Sequence, residues 1–540
     1  LDLKTGKTIK EFSVPIKEGA KFNFWSWIAL YDGLLLGSKG EVDERRRRPT
    51  ERTSEAVFAM DPKTGKVLWQ YEGKEIDSNT LTIGDGTVFL LDKQLSDTEK
   101  KTAQENIYRE KSDQAVEGKD RKGEPIPPDL RKIVALDVKT GKVKWQKPIN
   151  CTDITLDDIM HHESKVVGSC MYKDGILLVH GTGSLGHPHK QFLQGKFARR
   201  ALYAFDGKTG KFLWGGQKGY RKRPIIVGDF VYAEPFAWNL KTGKLKTMKN
   251  PLSGKEQTLD LHRGYIGCGH LLASGSTIFG NKGGISYYNI DNDSGFTPFS
   301  NMMLSCGFDA TPANGVFVAP EGRSGCTCST PIYTSIVLYP KKESSGAWGL
   351  GTSGGMAKVE SLPVKHLYVN LGAPGYRQDD KRNLWIPYQV GVSVNTGFIG
   401  NWLPRYKHNE SNFYTVNEDV QKITAKENSW LYTQGYKGDK LLSFKMIDKG
   451  QPAATYTVKL YFADPEKPKV GDRVFDIYLQ KKLVLKDFDV VKAAGVPGKT
   501  VSKEFKGLKI SGNLDIQLKP TANSKNKTPI LNAVSAVAEK

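Results

Sequence analysis

The side chains best suited to holding a metal are nine histidines and six cysteines. His161 and His162 stand together before Glu163, and His187 and His189 flank a proline with His180 close by. Imidazoles so spaced can ligate zinc, copper or iron. Both groups lie in stretches rich in Gly, Pro and polar residues, where a solvated histidine is the ordinary outcome, so no metal is expected and the four remain only candidates. No Cys-x-x-Cys-His occurs, which excludes covalent haem attachment. An even cysteine count in a β-rich, exported type of chain favours disulfides. Cys151 with Cys170 is one expected pair, with two more among Cys268, Cys306, Cys326 and Cys328; a metal held by Cys326 and Cys328 is the alternative. Neither His162 nor His270 stands in a Ser-His-Asp pattern, so hydrolase chemistry has no support.

The elements that must carry these residues are hairpins. The phrase Asp61-Pro-Lys-Thr-Gly-Lys-Val-Leu-Trp69 recurs at Asp137–Trp145 and Asp206–Trp214, with shorter echoes at Asp2–Gly6 and Asn239–Gly243. Each has an apolar run, a polar turn ending in Gly, and a second apolar run; Gly supplies the positive φ the turn needs. A second phrase sets Asp-Gly or a relative between apolar runs, as in Leu81–Leu91, Met171–Val179, Ile225–Tyr232, Leu271–Phe279 and Ala313–Ala319, after a first version at Trp25–Ser38. Two hairpins make a four-stranded antiparallel unit that cannot bury both faces alone. Copies must stack, and a closed ring removes the exposed ends, which predicts a β-propeller of seven or eight blades. The chain opens inside a repeat, at Leu1–Gly6, so residues before Leu1 are expected and the propeller is N-terminally incomplete. An insertion from Asp92 to Lys132 is charged and lacks an apolar stripe, and it reads as a surface excursion, partly helical or disordered.

These phrases resemble the quinoprotein-dehydrogenase (PQQ-like) type of propeller over residues 1–340, where Ala-x-Asp-x-x-Thr-Gly-x-x-x-Trp is the repeat. That resemblance implies that Trp69, Trp145 and Trp214 dock on neighbouring blades. In the enzymes of that architecture a quinone lies between a Trp floor and a disulfide of adjacent cysteines, beside calcium and a catalytic Asp. Here Thr327 separates Cys326 from Cys328 and no calcium cage of clustered acids is apparent, so catalysis by PQQ or a metal ranks last. Relatives without a cofactor include outer-membrane assembly lipoproteins.

Residues 341–362 are rich in Ser and Gly and read as a linker. Beyond it, Tyr456–Phe462, Arg473–Leu479, Lys482–Lys486 and Leu514–Leu518 alternate apolar and polar residues, as strands of a sandwich do. With Phe462-Ala-Asp464, Arg473-Val-Phe-Asp476 and Val484–Val490, residues 363–540 resemble malectin-like jelly rolls, a carbohydrate-binding family. The resemblance offers Trp385, Tyr388, Tyr432 and Tyr436 as sugar-stacking residues. It fails where an aromatic pair should follow Asp464, since Pro465-Glu-Lys-Pro468 stands there, and where Asn526-Lys-Thr-Pro529 replaces a terminal Asp.

The net charge is +21, from 79 Lys and Arg against 58 Asp and Glu, which suits acidic partners. The charge is spread along the chain, Arg45–Arg48 being the one dense cluster, and no nucleic-acid motif accompanies it. No apolar run approaches the ~20 residues of a membrane-spanning helix. The expectation is an all-β chain, a propeller followed by a jelly-roll sandwich. Its expected role is non-catalytic binding or scaffolding in the periplasm or another extracytoplasmic compartment, as an accessory subunit among other proteins. The alternatives are glycan binding through the sandwich and, last, a redox enzyme.

Overall fold

The computed structural model describes residues 2, 4–15, 22–43, 48–113, 127–155, 167–182, 200–220, 222–250, 253–259, 261, 270–281, 285–291, 297–298, 310–320, 335–339, 363–373, 377–388, 412–416, 423–425 and 428–539. The chain is all-β, propeller blades followed by a β-sandwich. It parts into two compact units, Leu1–Leu245 and Lys246–Lys540. Residues 341–362, read as a linker, lie outside the described residues. From Thr247 to Leu338 the repeats continue in strands of only two to five residues, which share short ladders with one another.

In the first unit, β1 (Phe22–Tyr31), β2 (Leu34–Asp43), β3 (Arg48–Met60) and β4 (Val67–Asp77) form one antiparallel meander. A second follows in β5 (Thr82–Gly84), β6 (Thr87–Asp92), β7 (Leu130–Asp137) and β8 (Val143–Asn150), and the pairing of Ile76 with Asp92 joins them. A third comprises β9 (Val167–Lys173), β10 (Ile176–Thr182), β11 (Ala201–Asp206) and β12 (Phe212–Gln217); a three-stranded sheet, β13 (Ile225–Val227), β14 (Phe230–Ala233) and β15 (Phe236–Asn239), comes next. A stacked blade must bury both faces, and β6 shows how. Val88 and Leu90 join the core shared with the first blade, while Phe89 and Leu91 join the core shared with the third. Asp32-Gly33, Asp85-Gly86 and Asp174-Gly175 have positive φ at both residues, the backbone that two-residue hairpins require.

The Thr-Gly phrase is a turn and a lock. Asp137 accepts from the backbone N–H of Lys139 and Thr140 and from the Thr140 hydroxyl, and Gly141 takes φ +69°. The indole of Trp69, one blade back, lies on that glycine, where a Cβ would stand 2.6 Å from the ring; its Nε1 donates to the Val138 carbonyl at 2.9 Å. Trp145 repeats the contact on Gly210 and the Gly207 carbonyl, and Trp214 on Gly243 and the Leu240 carbonyl. The three tryptophans dock as expected. The same hydrogen bonds recur among Asn250, Ser253, Gly254 and Lys255, where Asn250 and Ser253 replace Asp and Thr; the altered letters hid the pattern from the sequence reading.

The insertion is more than a surface excursion. Helix α1 (Asp97–Glu105) starts with a reciprocal capping box between Ser96 and Glu99. Behind it, Tyr108 stacks on Phe212 with ring centroids 4.0 Å apart, Arg109 makes two hydrogen bonds to the buried Asp153, and Asp113 accepts from the Gln217 N–H. A single aromatic and two charges in a polar stretch thus tie residues 108–113 to β12 and to Asp153, while α1 itself packs on β7 and β8.

In the second unit, a six-stranded sheet runs in the order Arg377–Gln378, Leu384–Tyr388, His366–Leu371, Ala533–Ala538, Ala454–Phe462, Val501–Ile510. A four-stranded sheet runs Leu442–Lys445, Asn513–Pro520, Val474–Leu479, Lys482–Asp489. Alternate residues such as Tyr456, Val458, Leu460 and Phe462 meet Phe475, Ile477 and Leu479 in one continuous core.

Candidate functional site

The four aromatics proposed for sugar stacking are between 2% and 8% exposed, and they divide between two clusters. Tyr388 and Tyr436 belong to the sandwich core, near Phe444 and Phe413. Trp385 and Tyr432 lie on the opposite face of the six-stranded sheet with Trp430, Leu431, Ala463 and Ala533. Trp385 packs against Tyr368 and Tyr461 and donates through Nε1 to Asp379 Oδ2 at 3.0 Å. The Arg377 guanidinium sits 4.6 Å from the Trp430 ring centroid. Burial pushes the Tyr432 phenol up to about 12. Rings packed this way serve each other and offer no open platform for a pyranose; alternation in the sequence could not tell which aromatic faces neighbouring segments would cover.

Asn370 was missed by the sequence reading. Its neighbours Val369 and Leu371 point into the main core, so Asn370 and Tyr368 face the Trp385 cluster, opposite Ala533. Asn370 is fully buried, and neither its amide oxygen nor its nitrogen has a hydrogen-bond partner among the described residues. A buried polar group in that state costs roughly 1–3 kcal/mol unless water or a ligand meets it.

Beside this cluster is an ionic network that begins where the expected aromatic pair is missing. Arg473 pairs with Asp464, both nearly without solvent, and with Glu466; Glu466 also pairs with Lys437. The Lys437 ammonium lies 4.7 Å from the ring of Tyr414, whose hydroxyl accepts from Asn532 Nδ2 at 2.9 Å. Asn532 also donates to the Tyr432 and Gln434 carbonyls and accepts from the Ala463 N–H. Burial pushes the Tyr414 phenol well up and lowers Arg473. The two acids and two bases balance in charge, Arg473 and Asp464 inside the fold and Glu466 half-exposed at its rim.

His161, His162, His187 and His189 lie outside the described residues, as do Cys268, Cys306, Cys326 and Cys328. Cys151 and Cys170 stand as free, buried thiols. Among the described residues, no three His, Cys, Asp or Glu side chains gather as a metal site. No two cysteines are adjacent in the sequence, so the Cys-Cys pair that lies against the quinone in the enzyme type of propeller has no counterpart here.

Comparison with known proteins matches the two halves separately. The family described as outer membrane protein assembly factor BamB matches residues 50–246, and the malectin domain matches residues 401–535. A probable leucine-rich repeat receptor-like serine/threonine-protein kinase of Arabidopsis thaliana is 32% identical over 190 residues, 34% of this chain and 17% of its own length. A second from the same plant is 28% identical over 195 residues, 34% of this chain and 18% of its own. The chain thus spans less than a fifth of the length of these relatives. Among solved structures, BamB from Moraxella catarrhalis aligns at TM-score 0.29 and 12% identity over 54% of this chain and 65% of its own. The extracellular domain of ANXUR1 from Arabidopsis thaliana aligns at 0.26 and 14% over 33% and 49%.

Proposed function

For a chain that joins PQQ-like repeats to a malectin domain, we propose a non-catalytic, exported binding protein that scaffolds a larger assembly as an accessory subunit. The observation that carries this reading is the ionic network. At the end of the sandwich where a small ligand would need free polar groups, Arg473, Lys437, Asp464 and Glu466 neutralise one another, which leaves recognition to the outer surface. A rigid frame that loses little entropy on docking suits a macromolecular partner, and the charge of +21 favours an acidic one. Relatives named as receptor-like kinases support an extracellular or periplasmic setting, and the assembly-factor match supports a role in a complex. Purification from the native source under low salt is expected to yield a stoichiometric complex that weakens as salt screens the contact. Recovery of a free monomer alone would overturn the proposal.

A second reading, glycan binding by the sandwich, is favoured by the buried Asn370 amide, which has no hydrogen-bond partner among the described residues and lies on the sheet face that carries Trp385. A glycan array that stays silent for the full chain removes it.

A further inference from the structure

Cys151 and Cys170 come from different blades. Cys151 ends the second blade, immediately after β8, and its N–H donates to the Asp129 carbonyl at 2.8 Å. The helical turn it opens, α2 (Thr152–Thr155), packs against β9, the strand of the third blade that carries Cys170. Ser169, next to Cys170, reaches back to the Asn79 carbonyl of the second blade at 3.0 Å. Both thiols belong to one apolar cluster, with Cys151 fully buried and Cys170 4% exposed.

We propose that Cys151 and Cys170, free thiols in this structure, represent the reduced form of a disulfide that staples the second blade to the third, and that the bond closes while the chain folds. This rests on the exported reading, since only an oxidising compartment would keep the bond. The two thiolates would react with a small-molecule disulfide such as oxidised glutathione. The first displaces one glutathione thiolate to give a mixed disulfide. The second attacks the protein sulfur of that intermediate and releases the other thiolate. The two thiol protons end on the two glutathiones, and the two electrons reduce the glutathione disulfide. Timing follows from enclosure: both sulfurs lie inside one apolar cluster, Cys151 fully buried and Cys170 4% exposed, out of reach of a soluble oxidant once the blades have packed, and burial also raises both thiols above their ordinary value. The thiolate is the reacting species, so the folded, reduced protein is slow to react. Closing the loop between the two positions restricts the unfolded chain and raises the unfolding midpoint.

The full chain, refolded with oxidised and reduced glutathione, is digested without reduction and mapped by mass spectrometry. A peptide pair linking Cys151 to Cys170 is expected, along with a midpoint that falls by several degrees on reduction; in a C151A/C170A variant reduction removes no contribution from this bond. Recovery of both residues as free thiols, or bonded elsewhere, overturns the proposal. Adding the same oxidant after reductive folding is expected to form the link at least tenfold more slowly, and equal rates would overturn closure during folding. Native-source protein carrying both thiols reduced, while the refolded chain crosslinks, would sink the exported reading and leave the staple standing.

Discussion

The blades and the sandwich solve the same packing problem in opposite ways. Between blades the contact is local and repeated: an indole on a glycine, one N–H to one carbonyl, and a two-sided strand such as β6. The sandwich has a main core closed by strands distant in sequence, such as Ala454–Phe462 beside Ala533–Ala538, and an ionic network whose Arg473–Asp464 pair is buried. Repetition spreads stability over similar joints. The sandwich concentrates it, so a single substitution there should do more damage.

The largest effect is therefore expected from Arg473→Ala. It strands the buried Asp464 carboxylate and should cost the sandwich about 3–5 kcal/mol in urea unfolding; a loss below ~1 kcal/mol would mean the network contributes no more than a surface pair. Next comes Gly210→Ala. Its φ of +70° and the Trp145 ring 2.8 Å from the new Cβ should together exceed the ~1–2 kcal/mol of left-handed backbone alone. Trp145→Phe, which keeps a ring and loses the donor to Gly207, should cost nearer ~1 kcal/mol. An unaffected third blade in either variant would break the idea of equivalent joints. Tyr108→Ala should free the insertion from Phe212 by roughly 1 kcal/mol, read as faster hydrogen exchange confined to residues 97–113.

The smallest effect is electrostatic. The Thr209 hydroxyl and then backbone N–H groups hold the Asp206 carboxyl below its ordinary value, and Thr140 does the same for Asp137. A lowered folded value means that the stability is fully present above the ordinary carboxylate range and is lost as pH falls through the folded value. These turns are almost fully solvated, so Thr209→Val should remove only roughly a few tenths of a kcal/mol near neutral pH. NMR titration should then place Asp206 closer to ordinary; no change would show that the hydroxyl is irrelevant to the turn.

The propeller half was legible because its information is local. Asp, Thr and Gly at fixed offsets specify a turn whatever surrounds it, and the strands at Tyr456–Phe462 and Leu514–Leu518 announced themselves by alternation. The candidate site was not legible for the opposite reason. Trp385 and Tyr432 look like exposed binding aromatics until Trp430 and Leu431 are seen packed with them. Asn370 is one polar letter in an apolar strand, and only the fold shows that it is fully buried with no partner for its amide among the described residues. Arg473 and Asp464 are separated by a loop whose path decides whether they meet. The insertion misled because one tyrosine, Tyr108, supplies its anchor and makes no stripe.

The indole-to-carbonyl lock also has a mechanical meaning. Trp69 reaches Val138, Trp145 reaches Gly207 and Trp214 reaches Leu240, so each fastener bridges from one blade to the next along the chain. A pull on the ends of this unit would load the fasteners in series, and the chain would yield blade by blade in separate force peaks.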